Sequence, residues 1–251
     1  MNTIFALDPL PLLIAFAAFA AVSLLLSLAA LRWFHGQWRA DATVLPVAPF
    51  FTAVTTIWAL SVGFAAADLW NTRAQAEQAA SAERSSISRL YGMSAADALD
   101  SPRLREALSA YVSAVAEAEW SRANADASER VEAALQRIRI ATIEMARAGT
   151  PTALMVRIAQ DFDELQDARN ARLAIGVSTI SEYKWYLVLV LTVMSMVAIS
   201  AVHADRPRAA RRALLIFTVA ATASLWILAL YANPYWGGAR IDFDPPAMRQ
   251  G

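Results

Sequence analysis

Four stretches of this chain each run for about the width of a bilayer's hydrocarbon core without one charged side chain. Between Asp8 and Arg32 the sequence reads LPLLIAFAAFAAVSLLLSLAAL, and between Asp41 and Asp68 it reads VAPFFTAVTTIWALSVGFAAA. WYLVLVLTVMSMVAISAV lies between Lys184 and His203, and LLIFTVAATASLWILALYA is followed by no charge until Arg240. A helix needs roughly 20 apolar residues to cross the hydrocarbon core, and each run supplies them. Lipid cannot satisfy free backbone amides, so these runs are expected to span as helices. The alternating short segments of a barrel are absent. The fold class is therefore all-α, with spans at about 10–32, 47–70, 185–203 and 213–232. The division follows as a membrane hairpin over 1–71, a helical extramembrane domain over 72–184, a second hairpin over 185–233 and an extended tail over 234–251.

The first run differs from a secretory signal. Asp8 is the only charge before Arg32, so no basic segment precedes the apolar core, which is also too long. It is expected to stay in the mature protein as a span. Orientation follows from the arginines of the short loops. Arg32 and Arg39 lie in the first hairpin loop, and Arg206, Arg208, Arg211 and Arg212 in the second. The segment before the first span has no Lys or Arg, and the tail has Arg240 and Arg249. Short basic loops stay cytoplasmic during insertion. Both loops are thus expected inside, with the helical domain and both termini periplasmic or extracellular. Alanine is abundant and Lys184 is the single lysine, a composition typical of a bacterial protein and hence of an inner membrane. Formal net charge is zero and no basic block exists, so nucleic acid is not an expected partner.

The middle, 72–182, reads as helix throughout, rich in Ala, Glu, Gln and Arg. Four segments are predicted. The first continues the second span and ends near Gly92, a candidate C-cap. The second opens on Ser101-Pro102 with a stripe of Leu104, Leu108, Tyr111 and Val115. The third covers about 126–148, with Val131, Leu135, Ile138 and Met145 on one side. The fourth begins at Thr150-Pro151, shows Leu154, Ile158, Phe162 and Leu165, and has only Gly176 as a break before Lys184. Spans two and three are thus expected to extend as long helices, with the other two helices packed on them as a hairpin.

No enzyme signature is present: there is no nucleophile elbow, phosphate-cradling glycine loop or zinc-binding histidine pair. The chain has no cysteine, and its two histidines, His35 and His203, lie in the hairpin loops, so no metal or other cofactor is expected. Asp161, Asp163, Glu164 and Asp167 could offer oxygen ligands to a cation, but they lack a calcium loop's glycine turn and read first as a solvated helix face. Glu117 and Glu119 lie two apart on a helix and point to different sides. In the second span Thr52, Thr56, Ala59, Gly63 and Ala66 share a narrow arc, away from Phe51, Trp58 and Phe64. Such a stripe suits close helix packing. Repeated around a symmetry axis it could instead line a pore. Asp68, at the exit of that span, and Asn233, Pro234, Tyr235 and Trp236, after the fourth, are pore-mouth or gating candidates. The aromatic rings after the fourth span read first as an interfacial anchor and only second as a pore mouth.

Several short marks in order carry a family resemblance. They are Leu60-Ser-Val-Gly-Phe64 followed by Trp70, Glu83 through Arg89-Leu-Tyr91, Tyr111 with Glu119-Trp120, and Asn233-Pro-Tyr-Trp-Gly237. With them the chain resembles the bacterial bestrophin-like domain family of unknown function. The resemblance implies a relation to bestrophins, oligomeric anion channels whose second membrane helix lines the pore. No bestrophin calcium clasp or phenylalanine neck matches residue by residue, and bestrophins keep their large domain and termini in the cytosol, opposite to the orientation read here. Two functions are expected from these readings. One is a homo-oligomeric ion channel, tetramer or pentamer, in contact with membrane lipid and permeant ions. The other is a non-conducting sensor or scaffold whose helical domain binds an envelope partner.

Overall fold

The computed structural model describes residues 8–38, 48–120, 127–177, 182–235 and 239–242. Among them the chain forms seven helices: α1 (Pro9–Trp38), α2 (Ala48–Met93), α3 (Pro102–Ala118), α4 (Glu129–Arg147), α5 (Thr152–Val177), α6 (Glu182–Val202) and α7 (Pro207–Leu230). Four of them are long and apolar enough to cross a membrane. Two compact units result: residues 1–71 with 180–232, and residues 72–179 with 233–251.

The first unit holds α1, the apolar part of α2, α6 and α7. In it α1 packs against both α6 and α7. Leu12, Phe16, Leu69, Trp185, Val188, Leu225 and Leu228 form one buried cluster, and Met196, Ile199 and Leu214 another. Hydroxyls and small residues let the helices approach and bond to one another. Ser200 Oγ donates to the Ser27 carbonyl at 2.8 Å, and Trp58 Nε1 donates to Thr192 Oγ1 at 2.9 Å. The C-terminal end of α1 also meets the turn between α6 and α7, with His35 Nδ1 2.7 Å from the Ala204 carbonyl.

The second unit is built on the apolar stripes of its helices. Leu104, Leu108, Tyr111 and Val115 of α3 are buried together with Val131, Leu135 and Ile138 of α4 and with Ile158, Phe162 and Leu165 of α5. Ile87 and Leu90 complete the core from α2. Met145 is only partly buried and Leu154 is exposed, since both sit at helix ends where the stripe runs out of partners. Two helix ends differ from expectation. α2 ends at Met93, next to Gly92 as expected, but Gly92 lies within it and is not its cap; among the described residues the glycine in the left-handed region is Gly149 (φ 87°), where a side chain would be strained and which terminates α4. Ser101 precedes Pro102 as expected, but its hydroxyl makes no capping bond. The helix following span two is continuous over all 46 residues of α2, whereas the helix expected to run unbroken into span three is described as α5 and α6, with 178–181 outside the described residues.

Candidate functional site

α2 presents three different faces where it belongs to the first unit. Trp58 and Leu69 turn toward the other spans: Trp58 bonds Thr192 and meets the Phe217 ring at 5.0 Å, and Leu69 is buried. Phe51, Val62, Ala65 and Ala66 pack partly against the same clusters. About 100° around the helix lie Thr52, Thr56, Ala59 and Gly63, all exposed in the protomer. Farther round are Ile57, Leu60 and Phe64, the last 71% exposed. Ala66 sits at the seam between stripe and packed face. Of the most apolar part of α2 only 6% of residues are buried, against 22%, 50% and 33% for α1, α6 and α7. The second span is the least covered of the four. At its exit Asp68 is ion-paired with Lys184, the lone lysine.

The second unit holds its own polar centre. α5 continues its buried stripe at 158, 162 and 165 with Arg169 and Arg172, three and four residues on, so both guanidiniums enter the interior. Arg172 Nε donates to Glu83 Oε2 at 2.6 Å, and its Nη2 donates to Glu119 Oε2 at 2.8 Å. Arg169 Nη2 donates to Glu119 Oε1 at 2.6 Å, and its Nη1 reaches Glu132 at the same distance. Tyr111 donates its hydroxyl proton to Glu83 at 2.6 Å, and the Ser128 amide donates to Glu119 at 3.1 Å. Two carboxylates, Glu83 and Glu119, thus face two guanidiniums, and all four side chains are buried. Charge balance and filled hydrogen-bond capacity are what make such burial tolerable. Arginine, tyrosine and backbone donors occupy these carboxylates; among the described residues no group of three or more acidic or histidine side chains could hold a metal ion.

The segment after the fourth span is part of this centre. The Trp120 ring lies under the Arg172 guanidinium at 4.9 Å and meets Tyr235 edge-on at 5.4 Å. Trp120 Nε1 donates to the Ile241 carbonyl at 3.0 Å, and Tyr235 donates its hydroxyl proton to the Ala76 carbonyl at 3.2 Å. Asn233 Oδ1 accepts the Tyr235 amide at 2.9 Å, the Ile241 amide donates to the Pro234 carbonyl at 2.7 Å, and Arg73 holds the Ala239 carbonyl. Asn233-Pro234 is therefore a turn that lays a strap on the bundle. Tyr235 is nine-tenths covered, which differs from an interfacial ring. Trp236 lies outside the described residues.

Residues 17–245 of this sequence match the bestrophin-like domain. The chain belongs to the bestrophin-like family. No curated protein sequence matches it. Its fold is similar to that of a bacterial bestrophin homolog from Klebsiella pneumoniae, in crystal structures at 14% identity. One covers 91% of this chain and 93% of that chain with a TM-score of 0.70, and another covers 90% and 92%, also at 0.70. At such identity the likeness is one of fold. In this bestrophin-like protein the marks Glu83, Tyr111, Glu119-Trp120 and Asn233-Pro-Tyr235 converge on one buried centre. Arg169 and Arg172, which join them, carry no motif of their own. Their only signal is that they prolong the three-and-four spacing of an apolar stripe.

The acidic run on α5 divides. Asp163, Glu164 and Asp167 are exposed, but Asp161 is not on the solvated face expected for it. It is fully buried and accepts from Arg89 Nε at 2.7 Å, with Arg157 at 3.4 Å. Arg89 also pairs with Glu164. Beside them runs an open groove of about 890 Å³ lined by Ser81, Ser85, Arg89, Glu164 and Asp167.

Burial, and then the adjoining Glu83 carboxylate, hold the Tyr111 hydroxyl well above its ordinary pKa. Burial raises Tyr235 likewise. A pKa raised in the fold means stability fully present below the unfolded tyrosine's value of about 10 and lost as pH rises beyond it. Alkaline titration of the protein in detergent is therefore expected to unfold it more steeply than Tyr111→Phe. Equal slopes for the two proteins would contradict the assignment.

Proposed function

We propose that this bestrophin-like protein is a homo-oligomeric ion channel whose second span lines the pore. The observation that carries this reading is the small, hydroxyl-bearing stripe Thr52, Thr56, Ala59 and Gly63, left exposed on the least covered span. Lipid contact favours large apolar side chains, which this helix presents on a separate face through Ile57, Leu60 and Phe64. A second copy, or water on a symmetry axis, suits the stripe better. Asp68, Asn233, Pro234 and Tyr235 are then the polar and turn-forming groups nearest the ends of the spans in sequence, and Asp68 with Lys184 is the pair most open to gating by ions. Tetrameric or pentameric closure places one stripe per copy around the axis.

The test is purified protein in planar bilayers, with oligomer mass measured in the same detergent. A closed oligomer with unitary currents is expected. Silence across monovalent cations, anions and pH would overturn the channel. The groove beside Arg89 would then favour a scaffold that binds a partner through its helical unit. Orientation is proposed from the loop arginines: an inner-membrane protein with both hairpin loops cytoplasmic. On this cysteine-free chain, a cysteine replacing the exposed Ala127 should react with an impermeant reagent on intact cells; labelling only after permeabilisation reverses the topology.

A further inference from the structure

The hairpin end of the first unit concentrates arginines that the protein itself leaves unneutralised. Arg208, Arg211 and Arg212 are exposed in the first turns of α7, and Arg32 is exposed one turn before His35. None of the four makes an ion pair among the described residues; Asp205, the acid in the same loop, is 3.2 Å from Arg206. The bond from His35 to the Ala204 carbonyl sets the end of α1 beside the turn that leads into α7, so Arg32 stands at the same end of the unit as the arginines of α7.

Direction decides what this patch meets. Arg208, Arg211 and Arg212 are spaced three and four apart and share one face of α7. That face continues as Leu215, Ile216 and Val219, which are 57%, 71% and 64% exposed. Arg211 stands only about 6 Å above Leu215 along the axis, at 1.5 Å per residue. A surface that is apolar in the bilayer and cationic one turn beyond it is fitted to a lipid, tail below and headgroup above. A soluble anion would match the charge but not the apolar continuation. Trp33, exposed and 5.1 Å from the Phe34 ring, adds the amphipathic aromatic group typical of that depth.

We propose that Arg208, Arg211 and Arg212, with Arg32, form a binding surface for anionic phospholipid headgroups. The surface is independent of conduction and of which leaflet it faces. Full-length protein is placed in nanodiscs of phosphatidylcholine alone or with phosphatidylglycerol, and retained lipid is read by native mass spectrometry alongside the unfolding temperature. The expected result is selective retention of phosphatidylglycerol and a higher unfolding temperature in its presence, both reduced by salt. Retention should fall roughly fivefold for each arginine changed to glutamine. R208K/R211K/R212K should keep most of it, and the single variant R211Q covers the case in which the triple glutamine variant does not insert. Three results would overturn the proposal. They are undiminished retention by the glutamine variants, an equal gain from inorganic phosphate with phosphatidylcholine, or a changed oligomer mass without a changed lipid response.

Discussion

Replacing Arg172 by alanine is expected to remove about 3–5 kcal/mol of folding stability, the loss usual when one partner of a buried ion pair is deleted. The guanidinium bonds both Glu83 and Glu119 and lies over Trp120, so its removal leaves the buried Glu83 without a cationic partner, takes one of the two from Glu119 and bares a ring face. Denaturant unfolding in mild detergent, followed by tryptophan fluorescence, measures the loss. The companion E83Q/R172M should be less damaged than R172A, because it removes charge from both sides. Acid adds a second signature. Burial alone would raise the Glu119 pKa, but the hydrogen bonds from Arg169, Arg172 and the Ser128 amide outweigh it and hold the carboxyl below its ordinary value. A depressed pKa gives stability present above the unfolded value, about 4.3, and lost as pH falls through the folded one. In R172A the acid limb should therefore be shallower than in the parent protein. A wild-type-like midpoint and limb would show that the network contributes little.

Enlarging the stripe of the second span is expected to reduce unitary conductance several-fold while leaving the protomer folded. At Gly63 an added Cβ meets nothing within 4 Å in the protomer, so Gly63→Leu costs no internal packing there. Its extra bulk goes wherever the stripe points. With the stripe on the axis, Gly63→Leu and Thr56→Leu narrow the water column, while Phe64→Ala, about 100° away, leaves the current alone. Recording each variant beside a melting curve separates blockage from misfolding. Reduced current from Phe64→Ala with normal current from Gly63→Leu would move the pore to another face.

Spans and core stripes could be read from the residues because each follows from one local rule. Uncharged length gives the spans, and the three-and-four spacing of Leu104, Leu108, Tyr111 and Val115 gives a buried helix face. The charged centre obeys no local rule. Arg172 and Glu83 are 89 residues apart, and nothing near either says that its charge is cancelled by the other. Arginine on a helix ordinarily means solvent, and Asp161 misleads for the same reason, since Arg89 neutralises it from another helix. Gly92 fails as a cap because a glycine permits a left-handed turn without requiring one. The marks that carry the family resemblance include Glu83, Tyr111, Glu119, Trp120 and Tyr235 of the centre, but their common destination emerged only in three dimensions.

The strap has a consequence for the order in which the protein is made. Everything from Thr72 to Val177 leaves the ribosome before α6 and α7, yet the Ile241 carbonyl that accepts from Trp120 and the Tyr235 ring beside it follow α7. The helical unit therefore emerges nearly whole but cannot close until the fourth span has been synthesised. Until then Trp120 lacks its acceptor and the ring of Tyr235. A chain stalled before residue 233 would carry an open bundle, visible to proteases, and in that sense the turn after α7 reports that the last span has been made.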